Sequence, residues 1–365
     1  MSILHNHTRK LQIDGLRGIA TIIVVLFHYF NNSYSNNFEL NLFERVISKI
    51  TSFGWSGVNL FFVISGYLIG TILLKNKNST NYFSTFYARR FLRIVPLYFI
   101  FLIVFIFFNS LFKDSSLILF EKPIPVWQYF LFVQNFSMSH LGHFGPNALT
   151  PSWSLAIEEQ FYLIAPIMVF FLRKKNVLLI VTLCLIVFSI FFRINSDNWY
   201  MEYTHFLSRV DSLSIGLIIA IFSLNSNEMV VLSKKRNLII FIIIFTSLLF
   251  GYAIFKQINH TFISYFFGGV LVFSFRLKDD TFLYKILVNK VTLFLGKHSF
   301  FIYLFHQLIN GLLFAYIFNS NPVLNTTNNY LVEILAVLLT MFLAVISFKF
   351  YESKFIAIGQ SLTYD

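Results

Sequence analysis

Apolar runs long enough to cross a lipid bilayer recur from one end of this chain to the other, separated by short polar loops. A bilayer core of ~30 Å is crossed by roughly 20 apolar residues in a helix. Inside lipid the backbone must satisfy its own hydrogen bonds, which a helix does within one segment. The chain is therefore expected to be all-α and polytopic. Composition agrees. Of 365 residues, 57% are hydrophobic and only 12% charged, and the mean hydropathy is +0.71. A soluble domain cannot hide that much apolar surface. The 49 Phe residues read as lipid-facing filler and carry no binding code. The single cysteine, Cys184, lies in an apolar run; it excludes an internal disulfide and argues against a cysteine-rich metal site. The N-terminus MSILHNHTRK is polar and no small-residue cleavage site follows the first apolar run, so no cleavable signal is expected.

About ten spans follow from length and hydropathy. The first runs from about Ile19 to Asn31, and is short unless the LRG turn before it also enters the membrane. The second is about Gly57–Leu74. The basic stretch Lys75–Arg93 reads as a loop, with a third helix starting near Ile94 and Pro96 in its first turn. The long polar region from Lys113 to Pro151 holds an aromatic middle, VWQYFLFVQNF, expected to lie at the interface or to re-enter. Further spans are placed from Ser152 to the residue before Arg173, then at Val177–Phe192, Leu207–Leu224, Leu238–Phe255, Phe262–Phe275, His298–Phe318 and Tyr330–Phe350. The net charge of +12 would suggest nucleic acid in a soluble protein, but here it falls in alternate short loops. Loops near 75–93, 173–175, 234–236 and 276–290 are strongly basic, and those between them are near neutral. The positive-inside rule then puts the basic loops and both termini in the cytoplasm. The chain ends soon after the last span, so one membrane domain over 1–365 is expected, without an appended soluble domain.

Polar groups that lipid should reject concentrate in a few places. In DGLRGIATIIVVLFH, Arg17 and His28 are eleven positions apart. At about 100° per residue they share a helix face, separated by about 16 Å of rise, with Asp14 on nearly the same stripe. An ionisable residue inside a span is costly and points to function. Arg89, Arg90 and Arg93 lie in ARRFLRIVPLY; Arg90 and Arg93 are one turn apart, and paired guanidiniums suit phosphate. The alternatives are topology and contact with lipid headgroups. PSWSLAIEEQFYLIAP carries Glu158 and Glu159 with no cation beside them in sequence, and Ser154, Glu158 and Tyr162 share a face. A carboxylate here would partner His28 and favour its proton uptake; the alternative is a buried structural network. SGYLIG, Ser65–Gly70, suits close helix packing or backbone approach to a ligand. In LGKHSFFIYLFH, His298 sits near the cytoplasmic boundary and His306 deeper, either lining the same cavity or interfacial. Arg209 and Asp211 read as an ion pair. No metal-binding pattern and no glycine-rich phosphate loop occurs, so no metal is expected.

Taken together, these stretches resemble acyltransferase family 3, whose members are integral membrane enzymes. The matching pieces, in order across most of the chain, are DGLRGIA with the R-x10-H spacing of Arg17 and His28, FFVISGYLI, ARRFLRIVPLY, WSLAIEEQFYL and LGKHSFFIYLFH. His306 is followed by QLI, where the family pattern has a proline. The resemblance implies about ten helices and transfer of an acyl group, commonly acetyl, from cytoplasmic acyl-CoA to a hydroxyl of a cell-surface carbohydrate. It implies His28 as the catalytic histidine, Arg17 as its motif partner, and Arg90 and Arg93 as a clamp for the acyl-CoA phosphates. Some members carry an extracytoplasmic esterase-like domain; this chain is expected to lack one.

The residue reading and the resemblance converge on one expectation. Acetyl-CoA or another acyl-CoA is the donor, held by Arg89, Arg90 and Arg93. His28 acts with Arg17, Glu158 and Glu159, as a general base or as an acyl-imidazole relay. Substrate contacts fall on Asp14, Ser65, Tyr67, Trp153, Ser154, Tyr162 and His306. The acceptor is a cell-surface or lipid-linked saccharide, of capsule, lipopolysaccharide or peptidoglycan type. The richness in Asn, Lys, Ile and Phe suggests an AT-rich bacterial genome, hence a bacterial cytoplasmic membrane. The competing reading is a transporter or flippase of a lipid-linked glycan. It fits composition and topology, but needs no CoA site and more often shows internal repeats, which this chain lacks. A purely structural scaffold leaves the intramembrane acids unexplained.

Overall fold

The stripe shared by Arg17 and His28 requires a helix that begins before Asp14. In the computed structural model it begins at Leu11 (α1, Leu11–Leu26), so the LRG turn is part of the span. The structure describes residues 10–31, 41–112, 117–224 and 259–365. Among these there is no strand, and eight helices are long and apolar enough to cross a membrane. The chain is an all-α, multi-pass membrane protein. The expected seventh span, Leu238–Phe255, lies outside the described residues.

α1 continues without a break into a π-helical turn, Phe27–Asn31. An amphipathic α2 (Leu42–Thr51) follows, its start fixed by a capping box in which Asn41 and Glu44 bond each other's backbone N–H groups at 2.9 Å. α3 (Gly57–Asn76) leads to α4 (Tyr82–Leu111). The loop expected up to Arg93 is therefore helical from Tyr82, and Pro96 lies inside α4 rather than in its first turn. Tyr87 and Tyr82 explain the early start: their hydroxyls donate to the carbonyls of Leu163 (3.0 Å) and Pro166 (3.2 Å), laying the basic end of α4 along another span. The aromatic region forms two short helices, α5 (Val126–Phe130) and α6 (Gln134–Leu141), broken between them where Phe132 takes φ +56°.

α7 (Ser152–Phe171), α8 (Lys175–Ile194), the short α9 (Trp199–Thr204) and α10 (Phe206–Ser223) come next. Then follow α11 (Asn259–Ser274), α12 (Phe282–Leu287), α13 (Lys290–Phe318), α14 (Thr327–Ser347) and, after a second π turn, α15 (Ser353–Ser361). The spans holding α3 and α10 are each 72% buried and that of α13 is 67% buried, against 22% for α8 and 28% for the one holding α14. The first three make the centre; the last two face lipid.

Small residues let the central helices touch. A Cβ on Gly66 would stand 2.0 Å from the Leu213 carbonyl oxygen, and one on Gly216 2.2 Å from that of Val63. The glycines of SGYLIG thus serve helix packing. The α1–α13 crossing is equally close: a Cβ on Gly296 would stand 1.9 Å from the Asp14 carbonyl oxygen. That crossing brings the two histidine-bearing helices together.

The expected Arg209–Asp211 pair is replaced by another. Asp211 pairs with Arg193 of α8, Nη2 to Oδ2 3.0 Å, with both side chains fully buried. Thr261 of α11 donates to the same carboxylate oxygen at 2.5 Å. Two residues apart on one helix, Arg209 and Asp211 project in directions about 200° apart. Arg209 instead donates to Asn59 Oδ1 at 2.9 Å and lies against the rings of Phe62, Trp153 and Tyr203.

Candidate active site

The site is organised on the facing stripes of α1 and α13. On α13, Ser299, Tyr303, His306 and Asn310 recur at spacings of three and four, which puts them on one face. Arg17 donates from Nη2 to Ser299 Oγ at 2.8 Å. Further along both helices, Nδ1 of His28 lies 2.9 Å from Nε2 of His306. The π turn at Phe27–Asn31 lets consecutive residues grip the same partner. Tyr29 donates its hydroxyl to the His306 carbonyl oxygen at 2.9 Å while His28 meets the imidazole. Such π insertions occur frequently at functional sites. His306 is fully buried, and its Nδ1 faces the carbonyl oxygens of Ile302 (3.0 Å) and Tyr303 (2.8 Å).

The expected carboxylate partner of His28 is thus not the observed one. Glu158 is turned toward a different group: its Oε2 accepts from Tyr162 (2.6 Å) and from Ser65 (3.0 Å). Ser154, on the same α7 face, reaches instead to Tyr303, with 2.6 Å between hydroxyls. Tyr303 therefore bridges the Glu158 helix to the histidine helix.

The acids do have cations near them, although none adjoins them in sequence. Arg17 and Arg90 are the cations that act on Glu158, and Arg90 is the cation that acts on Glu159 beside the like charge of Glu158. Arg17 and Arg90 act on Arg93 as like charges, and Asp14 as an opposite one. A loop over residues 75–93 would not produce this; the helical start of α4 carries the arginines against α7. Arg90 Nε and Glu159 Oε1 are buried without a hydrogen-bond partner among the described residues. Arg89 points elsewhere: its Nε donates to the Leu362 carbonyl at 2.7 Å and its guanidinium lies over Tyr364. It holds the C-terminal segment and does not join the other three. Tyr67 is likewise apart from Ser65, packed 5.3 Å from the Phe275 ring in an apolar cluster with Ile64 and Leu271.

At the other end of the stripe lies a cavity of about 830 Å³. His28 and Tyr303 are in its wall, with Trp55, Trp153, Trp199 and Tyr203 among the aromatic lining. Trp199 stacks on Tyr203 at 4.8 Å and Trp153 also packs on that ring at 4.8 Å. Polar groups converge on it: His143, Glu202, His260 and Gln307, the last with an Oε1 that has no hydrogen-bond partner among the described residues. Aromatic faces with a few placed polar groups are the usual lining of a small-molecule site. His143, in the loop before α7, accepts from the Gly145 N–H at 3.0 Å; burial first, and Lys122 second, lower its pKa from 6.5.

Of the sequence-derived site residues, the structure gathers Asp14, Arg17, Arg90, Arg93, Ser65, Glu158, Glu159 and Tyr162 at the basic end. It places His28 and His306 together, and Trp153 and Ser154 near the cavity. Sequence reading missed Ser299, Tyr303 and Gln307. Their signal was present as polar positions at helical spacing in the apolar run of α13. It also missed Glu333, buried on α14 and bonded by Asn310 at 3.2 Å.

This geometry stands on a chain whose relatives can be recognised. A family model described as "Acyltransferase domain", acyltransferase family 3, matches residues 10–349. The chain belongs to that family. It is 29% identical over 367 residues to peptidoglycan O-acetyltransferase OatA of Listeria monocytogenes, covering 93% of this chain and 55% of that protein. It is 26% identical over 377 residues to O-acetyltransferase OatA of Staphylococcus aureus, covering 93% of this chain and 56% of that one. The chain thus spans about half the length of the curated relatives it matches. No solved structure matches it.

Proposed function

We propose that this chain is the membrane unit of an O-acetyltransferase that moves an acetyl group from acyl-CoA to a hydroxyl of a cell-wall saccharide. The observation that carries the reading is one alignment. An arginine group, an imidazole pair and an aromatic-lined cavity follow one another along α1 and α13 of an acyltransferase-family chain. The basic end faces the cytoplasm of a bacterial cell, as its charge requires. Arg17, Arg90 and Arg93 hold the CoA phosphates there, and fork-shaped guanidiniums suit that task. Glu158, Ser65 and Tyr162 line the way inward. The acceptor enters the cavity from the other side, its ring faces on the Trp and Tyr side chains. The names of the relatives point to a peptidoglycan-type acceptor.

At the junction, the acceptor oxygen attacks the thioester carbonyl and the C–S bond breaks. His28 takes the hydroxyl proton and returns it to the departing thiolate. The relay route, in which His28 carries the acetyl group between opposed substrates, uses the same residue.

The test is transfer and hydrolysis of radiolabelled acetyl-CoA by the purified protein in nanodiscs. Wild type should consume acetyl-CoA. His28→Ala should bind it without turnover, and Arg90→Ala/Arg93→Ala should lose binding. A folded wild-type protein that neither binds nor consumes any acyl-CoA refutes the reading and leaves transport of a lipid-linked glycan.

A further inference from the structure

Two neutral imidazoles in contact admit few proton arrangements, and here the surrounding backbone selects one. Among the described residues, Nδ1 of His306 faces only the carbonyl oxygens of Ile302 and Tyr303, at 3.0 and 2.8 Å. A carbonyl oxygen accepts and cannot donate, so Nδ1 of His306 carries a hydrogen. In a neutral ring its Nε2 then holds a lone pair. That lone pair lies 2.9 Å from Nδ1 of His28. For this contact to be a hydrogen bond, Nδ1 of His28 must donate. No carboxylate among the described residues bonds either ring, and a charged imidazole there would be buried without a counter-ion.

We infer that His306 is a positioning residue that fixes the tautomer of His28, leaving Nε2 of His28 as the lone pair that meets the substrate in the cavity. The hydrogen-bond direction runs from His28 Nδ1–H to His306 Nε2, and from His306 Nδ1–H to the backbone of α13. A neutral imidazole thus stands where a carboxylate orients the histidine of a hydrolase triad. The inference rests on the proposed acyl transfer and specifies its atom. The acceptor O–H proton goes to His28 Nε2 while its oxygen bonds the acetyl carbon. The C–S bond breaks, and the thiolate takes that proton from Nε2. Throughout, His28 keeps its Nδ1–H and His306 keeps its lone pair toward it. Tyr29, bonded to the His306 backbone, and the π turn hold the two rings in register. The imidazole is held as orienting groups generally hold catalytic histidines, by the nitrogen that does no chemistry.

The experiment uses full-length protein in nanodiscs with ¹⁵N-labelled histidine. The His28 resonances are assigned by their loss in His28→Gln. Expected is the Nδ1–H tautomer of His28 in wild type, retained in His306→Gln, whose amide oxygen can accept the same hydrogen, and lost or mixed in His306→Leu. In acetyl transfer, His306→Gln should keep kcat within about tenfold. His306→Leu should lose about 100-fold or more, the range of a misdirected general base, with KM for acetyl-CoA little changed. An Nε2–H tautomer in wild type overturns the inference, as does equal loss of kcat in the two variants. If His306→Leu does not fold, the wild-type tautomer decides alone. Because the tautomer is read without turnover, a wild type lacking transferase activity overturns the proposed function while the tautomer result still stands or falls separately.

Discussion

Replacing Asp211 by Asn keeps the shape of the side chain and removes its charge from a fully buried site. The Arg193 guanidinium loses its 3.0 Å counter-ion while fully buried. One carboxylate oxygen there accepts from both Arg193 and Thr261. An amide must either offer a donor to those donors or turn its oxygen to them and lose the bond from the Ser212 N–H at 2.8 Å. Removing one partner of a buried pair costs about 3–5 kcal/mol. A hydrogen bond between membrane helices averages only about 0.6 kcal/mol. The two cases are therefore well separated. Equilibrium unfolding in mixed micelles with SDS, read by tryptophan fluorescence, should give the larger value for Asp211→Asn. Arg193→Met/Asp211→Leu, which removes both charges, should recover to within about 1 kcal/mol of wild type, because paired charges and apolar replacements are near parity. The consequence reaches the site, since α11 carries His260 of the cavity wall and is tied to α8 and α10 by this group. A cost of ~0.6 kcal/mol or less for the single variant, or a double variant no better than the single, refutes the reasoning.

Glu158→Gln should reduce acetyl transfer by roughly tenfold or more while leaving the fold intact, because Tyr162 and Ser65 can still donate to the amide oxygen; kinetics and a melting curve on the same preparation separate the two. Gly66→Ala should cost about 1–3 kcal/mol in the same unfolding assay, since the Leu213 carbonyl stands 2.0 Å from the new Cβ and backbone must move. Arg89→Ala should leave acetyl-CoA affinity near wild type in a binding assay, unlike Arg90→Ala/Arg93→Ala, because its guanidinium serves the C-terminal segment. His143, its pKa lowered in the folded state, stabilises the fold fully above the ordinary histidine range and less as pH falls below about 6.5. The wild type should thus lose melting temperature relative to His143→Gln between pH 7.5 and 5.

Sequence alone determined what depends on one segment at a time. Span length and hydropathy set the all-α membrane fold, because lipid admits no unsatisfied backbone. The 100° helix step by itself puts Arg17 and His28 on one face, and Ser65, Glu158, Tyr162 and His306 stand out as polar groups inside apolar runs. Tertiary structure decided what depends on how helices rotate against each other. The partner of His28 lies 278 residues away and is an imidazole rather than Glu158. The partner of Asp211 is on α8, not two residues upstream. Whether basic residues 82–93 form a loop or a helix was settled by Tyr82 and Tyr87 finding carbonyls on α7. Periodicity gives each helix its polar face; only close packing through Gly18, Gly66 and Gly296 decides which faces meet, because a single Cβ there would change the crossing.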